Sequence, residues 1–542
     1  MRTKNTMSRR QAKTSYWQDA PMPREQLVLF AESLEERIPE DHPVRMLDEI
    51  LNQLDWSEWE SGYHGKVGQP PIHPSVLCKV LLFAMIRRIR SSRQMEYQIR
   101  HSVDFIWLTS GRQIDHTTLS EFRRNHPKQL KALYRQIVQL AIQLGVAKLS
   151  ELCIDGSRVL ANASRHKSWK AEKVEKLLAE LEQQISAAMN ELETNDQIDG
   201  LLDDGQSADQ LPELLRDMQA RQLLLQDALV QLKQMEEQRK QEGIDPKKSP
   251  ARLPKNDHDS RILPNKEGGY APNYTPMAVA ETQSGFIVGA DVLIGNVEHT
   301  VLMAMLDTIE ADYETKVETV LADTAYSTGP NLQAAEERGL ELLSPAITQE
   351  AKDNPARRED LSQPVAEDQV ALLPLNSQSK GFDKQAFIYE EAHDRYRCPA
   401  GKMLTRSGSE NVKKAGATFR RVRYRCHECS GCPLIARCQP KVKAKRGRGV
   451  TRDDFEAVRE RHRKRMAQEE SKTRYKLRSH FGETPFAVLK APMDLRRFLL
   501  CGVTKVQQEW LWGCTGFNLK KLMRMWGALR AQLAKAELPA VV

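Results

Sequence analysis

The stretch Tyr475-Lys-Leu-Arg478-Ser-His-Phe-Gly-Glu483-Thr-Pro-Phe-Ala-Val-Leu-Lys490 sets one carboxylate among a phenol, a guanidinium and an ammonium group. Helical spacing would put Glu483 and Lys490 about two turns apart on much the same face, so that an acid and a base address one ligand. Pro485 suits the first turn of a helix, and Pro492 suits its early end. Two further acids stand where a charge is costly. Asp155 interrupts the short apolar run Glu151-Leu-Cys-Ile-Asp155-Gly, which reads as a strand, and a carboxylate buried there needs a partner or a metal ion. Asp323 closes a second such run, Val317-Glu-Thr-Val-Leu-Ala-Asp323. If the two strands are parallel neighbours the carboxylates meet, and a bound cation would relieve their repulsion.

The cysteines point to a second kind of chemistry. There are nine, an odd number, and five fall within 398–438, which favours metal over a disulfide framework. Cys398-Pro-Ala-Gly-Lys reads as a knuckle-like turn, and Cys426-His-Glu-Cys429-Ser-Gly-Cys432 carries two overlapping CxxC pairs, with Cys438 beyond. Tetrahedral Zn²⁺ takes four ligands and can fold a small insert that has no core of its own. The favoured set is Cys398, Cys429, Cys432 and Cys438, with Cys426 or His427 as the alternate. Such a site would be structural and would present the basic run Lys441–Arg448 to DNA.

These residues need elements to hold them. A chain of 542 residues is too long for one ordinary domain. A basic tail, 1–24, precedes residues 25–146, which read as helical, with helices starting at His42-Pro and at Pro74 and a Gly/Pro-rich connector between them. The second helix runs into Arg87, Arg88, Arg90 and Arg93, whose helical spacing would spread the guanidiniums over one or two faces for phosphate contact. Asp115-His-Thr-Thr caps a following helix that bears Arg123 and Arg124, placed to read base edges. This combination fits a helix-turn-helix-like, all-α DNA-binding domain.

From 147 to 349 the pattern alternates: a strand at Glu151, a hairpin around Gly285, a helix from Glu298, the strand ending at Asp323, a helix from Pro330 and a strand at Leu340. This order matches an α/β, RNase H-like catalytic domain. A heptad-like helical hairpin, 168–245, interrupts it. A second insertion, 350–470, carries polar loops, the cysteines in a zinc-ribbon-like arrangement and a charged helix from Phe455. Residues 471–542 complete the catalytic domain with the glutamate-bearing helix. The net charge is a modest +8, no run of 18 apolar residues occurs and no signal peptide is evident, so the expectation is a soluble, cytoplasmic protein with no membrane partner.

Taken together, four stretches resemble a bacterial insertion-sequence transposase of the DDE type. They are Gln69-Pro-Pro…Arg90-Ser-Ser-Arg93…Asp115-His-Thr-Thr-Leu, Ile154-Asp155-Gly-Ser-Arg-Val-Leu-Ala-Asn-Ala-Ser, Leu321-Ala-Asp323-Thr-Ala-Tyr, and Tyr475…Arg478…Glu483…Lys490. The resemblance implies that Asp155, Asp323 and Glu483 hold two Mg²⁺ (or Mn²⁺) ions. It implies hydrolysis that frees a 3′-hydroxyl at the transposon end, followed by attack of that hydroxyl on target DNA. Tyr475, Arg478 and Lys490 would position phosphates. The partner would be double-stranded DNA, transposon end and target, with the protein a homo-oligomer assembled on it. The family's signature often has three residues between its arginine and glutamate where this chain has four, so Glu509 is the alternative glutamate. Two other functions compete: a transposase-derived DNA-binding protein without catalysis, and a metal-dependent nuclease without strand transfer.

Overall fold

A computed structural model describes residues 33–63, 70–199, 210–241, 243–265, 268–347, 353–414, 417–440 and 447–533. The basic tail 1–24 and residues 441–446 of the late basic run lie outside them. Seven helices come first: α1 (Pro43–Leu51), α2 (Ser57–Glu60), α3 (Pro74–Ile86), α4 (Ser92–His101), α5 (Val103–Leu108), α6 (His116–Asn125) and α7 (Pro127–Gln143). Their starts follow local rules. His42 and His73 cap α1 and α3 just ahead of a proline in the first turn, and the Asp115 carboxylate accepts the Thr118 N–H at the start of α6. Helix α3 is apolar almost all round and nearly all of it is buried, so it needs neighbours on several sides.

The sheet begins with β1 (Glu151–Gly156) and the short β2 (Val159–Leu160). The small pair β3 (Ser168–Trp169) and β4 (Leu253–Pro254) then forms the base of a helical hairpin, α8 (Ala171–Asp199) and α9 (Gln210–Gln241). Val174, Leu178 and Leu181 of α8 pack with Leu225, Ala228 and Leu232 of α9 in a core of their own. The chain returns through β5 (Arg261–Pro264), β6 (Tyr270–Glu281), β7 (Ile287–Leu293), α10 (Leu302–Tyr313), β8 (Thr319–Leu321), α11 (Gly329–Arg338) and β9 (Glu341–Leu343). Across the sheet the order is β7-β6-β1-β8-β9; β6 runs antiparallel to β7 and β1, and β1, β8 and β9 are parallel. This mixed α/β topology fits the RNase H-like expectation.

Residues 353–475 differ from the expected loops. They build an antiparallel meander, β10 (Ile388–Glu390), β11 (Arg395–Arg397), β12 (Met403–Lys414), β13 (Ala417–Cys426) and β14 (Gly449–Asp453), with the short α12 (Ile435–Cys438) before the last strand. The arginines of Thr418-Phe-Arg-Arg-Val-Arg-Tyr-Arg425 hide the strand from an apolar-pattern search. Tyr396, Leu404, Tyr424 and Val450 give this sheet its own core. The charged helix from Phe455 is two helices, α13 (Glu456–Ala467) and α14 (Glu469–Tyr475).

Helix α15 (Leu477–Lys490) starts eight residues before Pro485, which is therefore inside it and not in its first turn. Proline there removes one backbone hydrogen bond. Burial of Gly482, Pro485, Phe486 and Leu489 along one face holds the helix together regardless. The last helix, α16 (Val503–Leu533), carries Trp510, Trp512, Phe517 and Leu522 into the core. One continuous apolar cluster joins α1, α3, α7, the faces of β6 and β7, and α16. The helical head is thus welded to the sheet, and the Tyr134 hydroxyl of α7 donates to the Ile287 carbonyl of β7 at the seam.

Candidate active site

Asp155 is the fifth residue of β1 and is buried; its carboxylate accepts the Gly156 N–H. The parallel register pairs Cys153 with Leu321, so the two chains carry Asp155 and Asp323 forward from the same point, each two residues on. Asp323 ends its strand as the cap of a single 3₁₀ turn, with one carboxylate oxygen accepting the Ala325 N–H at 2.8 Å. Helix α15 crosses β1 at Gly482. A Cβ on Gly482 would stand 3.1 Å from the Cys153 sulfur and 3.5 Å from an Asp155 carboxylate oxygen, so the close approach suits glycine. Glu483 is the next residue; its side chain is 66% exposed, beside the site and open to solvent.

Arg478 lies between the acids, 3.2 Å from Asp155 and 4.0 Å from Glu483. Burial works against its charge, but Asp155 and its other anionic neighbours outweigh that and raise its pKa. Its Nε has no hydrogen-bond partner among the described residues. Tyr475 is half-buried one turn earlier, and burial pushes its phenol pKa up, with Asp323 and Asp155 adding to the shift. Lys490, expected to meet phosphate, reaches back to β1: its ammonium donates to the Ser157 hydroxyl at 2.6 Å and the Arg158 carbonyl at 2.7 Å. Cys153, under α15, is pushed up to about 12, first by burial.

Two residues were missed by sequence reading. Arg474 spans three strands, bonding to Glu151 of β1, Thr319 of β8 (2.9 Å) and Glu341 of β9 (2.6 Å), and so fixes the entry of α15. Glu298, from the turn before α10, lies against the backbone of Gly156: a Cβ there would be 2.8 Å from its carboxylate carbon. A single carboxylate in a polar turn gives no sequence signal. Among the described residues no three His, Cys, Asp or Glu side chains form a ready-made metal group. The donor set is nonetheless the right chemistry for a hard cation, carboxylate oxygens at the end of a buried strand pair.

The family model "Transposase DDE domain" matches residues 397–523, and the model "Transposase domain (DUF772)" matches residues 32–125. The chain belongs to the insertion-sequence DDE transposases. The first match includes Glu483 and the five clustered cysteines, and the second includes the arginine strip; Asp155 and Asp323 fall between them. A cryo-EM structure of a piggyBac transposase synaptic complex with hairpin DNA is similar at 10% identity and a TM-score of 0.25, over 93% of this chain and 87% of that one. A comparison with curated proteins finds no match. No helix among the described residues of this transposase is long and apolar enough to cross a membrane.

In the transposase the arginine strip is not one helical face. Helix α3 ends at Ile86, Arg87 and Arg88 form the turn after it, with Arg88 at a φ of +65°, and Arg93 begins α4. Arg87, Arg88 and Arg93 are exposed. Arg90 is a correction: it is buried, and its guanidinium bonds the Glu509 carboxylate and the Asp494 carbonyl. Arg123 is a second correction, because its guanidinium donates to the Arg90 carbonyl at 2.9 Å and its Nε is buried, which leaves it unable to read a base. Arg124 is half-buried and bonds the Ser120 carbonyl. Glu509 also accepts the Leu499 and Leu500 N–H groups, so it is not an alternative to Glu483.

Cys398, Cys426, Cys429, Cys432 and Cys438 all line one small cavity of the transposase's second sheet. The Cys398 turn closes through the Gly401 N–H to Cys398 carbonyl bond, with Gly401 at a φ of +77°. Arg448, the last residue of the late basic run, is drawn into this module: its N–H donates to the Cys429 sulfur and its guanidinium lies 5.2 Å over Phe387. Burial pushes the Cys426 and Cys438 thiols up to about 12.

Proposed function

We propose that this transposase cleaves DNA at the ends of its element and joins the freed ends to target DNA, with Asp155, Asp323 and Glu483 as its catalytic carboxylates. The observation that carries this reading is the seating of Gly482 against Asp155, which brings Glu483 to the end of the β1–β8 pair. The three acids would hold two divalent ions, Mg²⁺ or Mn²⁺, which activate the attacking oxygen and stabilise the leaving one in an in-line phosphodiester displacement. Arg478 neutralises Asp155 and offers its remaining donors to a phosphate. Tyr475 borders the same carboxylates, and Lys490 clamps the β1–β2 turn so that Asp155 keeps its place.

Exposed Arg87, Arg88 and Arg93 are the phosphate contacts of the helical head, and a homo-oligomer assembled on double-stranded DNA is the working form. The cysteine cavity would hold one structural Zn²⁺ through Cys398, Cys429, Cys432 and Cys438, with Cys426 in reach of the same space. The test replaces Asp155, Asp323 and Glu483 singly by alanine and follows end cleavage, strand transfer from pre-cut ends, and DNA binding. Loss of both reactions with binding retained is expected for each. Mg²⁺-dependent cleavage by any one variant removes that residue from the site, and cleavage without strand transfer by the wild type makes the protein a nuclease.

A further inference from the structure

Glu298 has no place in the three-acid reading, yet it is the side chain closest to the backbone beyond Asp155. A Cβ on Gly156 would lie 2.8 Å from the Glu298 carboxylate carbon and 3.0 Å from its Oε2. These separations are shorter than ordinary packing allows, so a side chain at 156 would displace Glu298. The turn that carries Glu298 is tied to the turn after Asp323 by one buried side chain. The Asn331 amide donates to the His299 carbonyl at 2.9 Å and to the Tyr326 carbonyl at 3.1 Å. Glu298 is therefore held to Asp155 on one side and to the Asp323 turn on the other.

A separate observation points to something these groups are built to receive. Tyr326 is fully buried, and its hydroxyl has no hydrogen-bond partner among the described residues. A buried hydroxyl without a partner is costly and calls for an explanation. The phenol lies among these acids: burial first, then the carboxylates of Glu298, Asp155 and Asp323, push its pKa upward. Three carboxylates around an unmatched hydroxyl donor are the surroundings of a hydrated cation, whose bound water would accept that hydroxyl.

We propose that Glu298 is a fourth carboxylate of the catalytic centre and shares a divalent cation with Asp155, with the Tyr326 hydroxyl bonded to water on that ion. The inference rests on Asp155 being a catalytic carboxylate. A hard divalent ion takes six or more oxygen donors, and Asp155, Asp323 and Glu483 together supply few of them, so a fourth carboxylate adds affinity on the side away from Glu483. Being half-buried, Glu298 gives that ion a less hydrated neighbour than the solvent-facing Glu483.

The experiment uses the full chain bound to element-end DNA and compares wild type, Glu298→Gln and Asp155→Asn. Mn²⁺ binding is followed by electron paramagnetic resonance, and cleavage is followed across a Mg²⁺ series. Glu298→Gln should need at least tenfold more Mn²⁺ for half-saturation and at least tenfold more Mg²⁺ for half-maximal cleavage, with DNA affinity unchanged. Asp155→Asn should be inactive at every Mg²⁺ concentration. Metal curves for Glu298→Gln that overlay wild type overturn the proposal while leaving the three-acid reading intact, and a lowered melting temperature with the same curves assigns Glu298 a structural role only. An active Asp155→Asn overturns the three-acid reading itself. Should Glu298→Gln not fold, Glu298→Asp, which keeps the charge on a shorter stem, decides: a shifted Mn²⁺ curve supports the proposal and an unshifted one overturns it.

Discussion

Arg90 and Glu509, 419 residues apart in sequence, form a buried ion pair 2.5 Å long at the junction of the helical head and α16. Each partner is further satisfied by backbone: Arg90 by the Asp494 carbonyl, Glu509 by the Leu499 and Leu500 N–H groups. A pair of this kind is dangerous to break from one side, since a lone buried charge remains. Arg90→Ala and Glu509→Ala should each destabilise the protein by about 3–5 kcal/mol. Denaturant melts of both single variants and of an Arg90→Met/Glu509→Leu double check this. The double variant should recover most of the loss.

The exposed arginines should behave in the opposite way. Arg87→Ala and Arg93→Ala leave no buried charge behind, so stability should change by less than about 0.5 kcal/mol. DNA affinity should fall on all sequences alike, and the salt dependence should flatten by roughly one unit of slope per lost phosphate contact. Binding isotherms across a salt series measure both. An unchanged slope in the Arg87→Ala/Arg93→Ala variant would take this turn out of the DNA interface.

The cap of α6 gives a pH signature. Hydrogen bonds from the Thr118 N–H and hydroxyl hold Asp115 down at about 2, against an ordinary 3.8. A carboxylate depressed in the folded state contributes its full stability above its unfolded pKa and loses it as pH falls through the folded one. Asp115→Ala should therefore cost about 0.5–2 kcal/mol at neutral pH, the usual worth of such a cap. The gap to wild type should hold down to about pH 4 and close toward pH 2. Asp115→Asn, which still caps, should show no such closing.

The cysteine cavity predicts a metal count. Protein purified without chelators should carry about one zinc per chain by elemental analysis. Zinc uptake by the metal-free protein should release protons, because Cys426 and Cys438 are protonated thiols at neutral pH in its absence. Cys432→Ser should lower the protease resistance of residues 388–453, and Cys426→Ser should do so less if Cys426 is the spare thiol. Zinc-free protein with the same resistance would dispose of the site.

By itself the sequence determined the parts whose physics is local. Asp115 announced its helix because a short acid before Thr-Thr is a cap wherever it occurs, and Pro43 and Pro74 marked their helix starts for a similar reason. The β1 strand and the Gly285 turn were legible from apolar runs and a residue that tolerates a φ of +75°. Tertiary structure decided what depends on distant partners. Nothing near Arg90 in sequence distinguishes it from Arg87, Arg88 or Arg93; only Glu509, brought in by α16, turns it from a surface charge into a buried one. Likewise Pro485 looked like a helix start, because packing of Gly482 and Phe486 under α15 is what lets the helix run through it. Glu298 reaches Gly156 only once β6, β7 and α10 have folded back along β1, and no spacing along the chain records that approach.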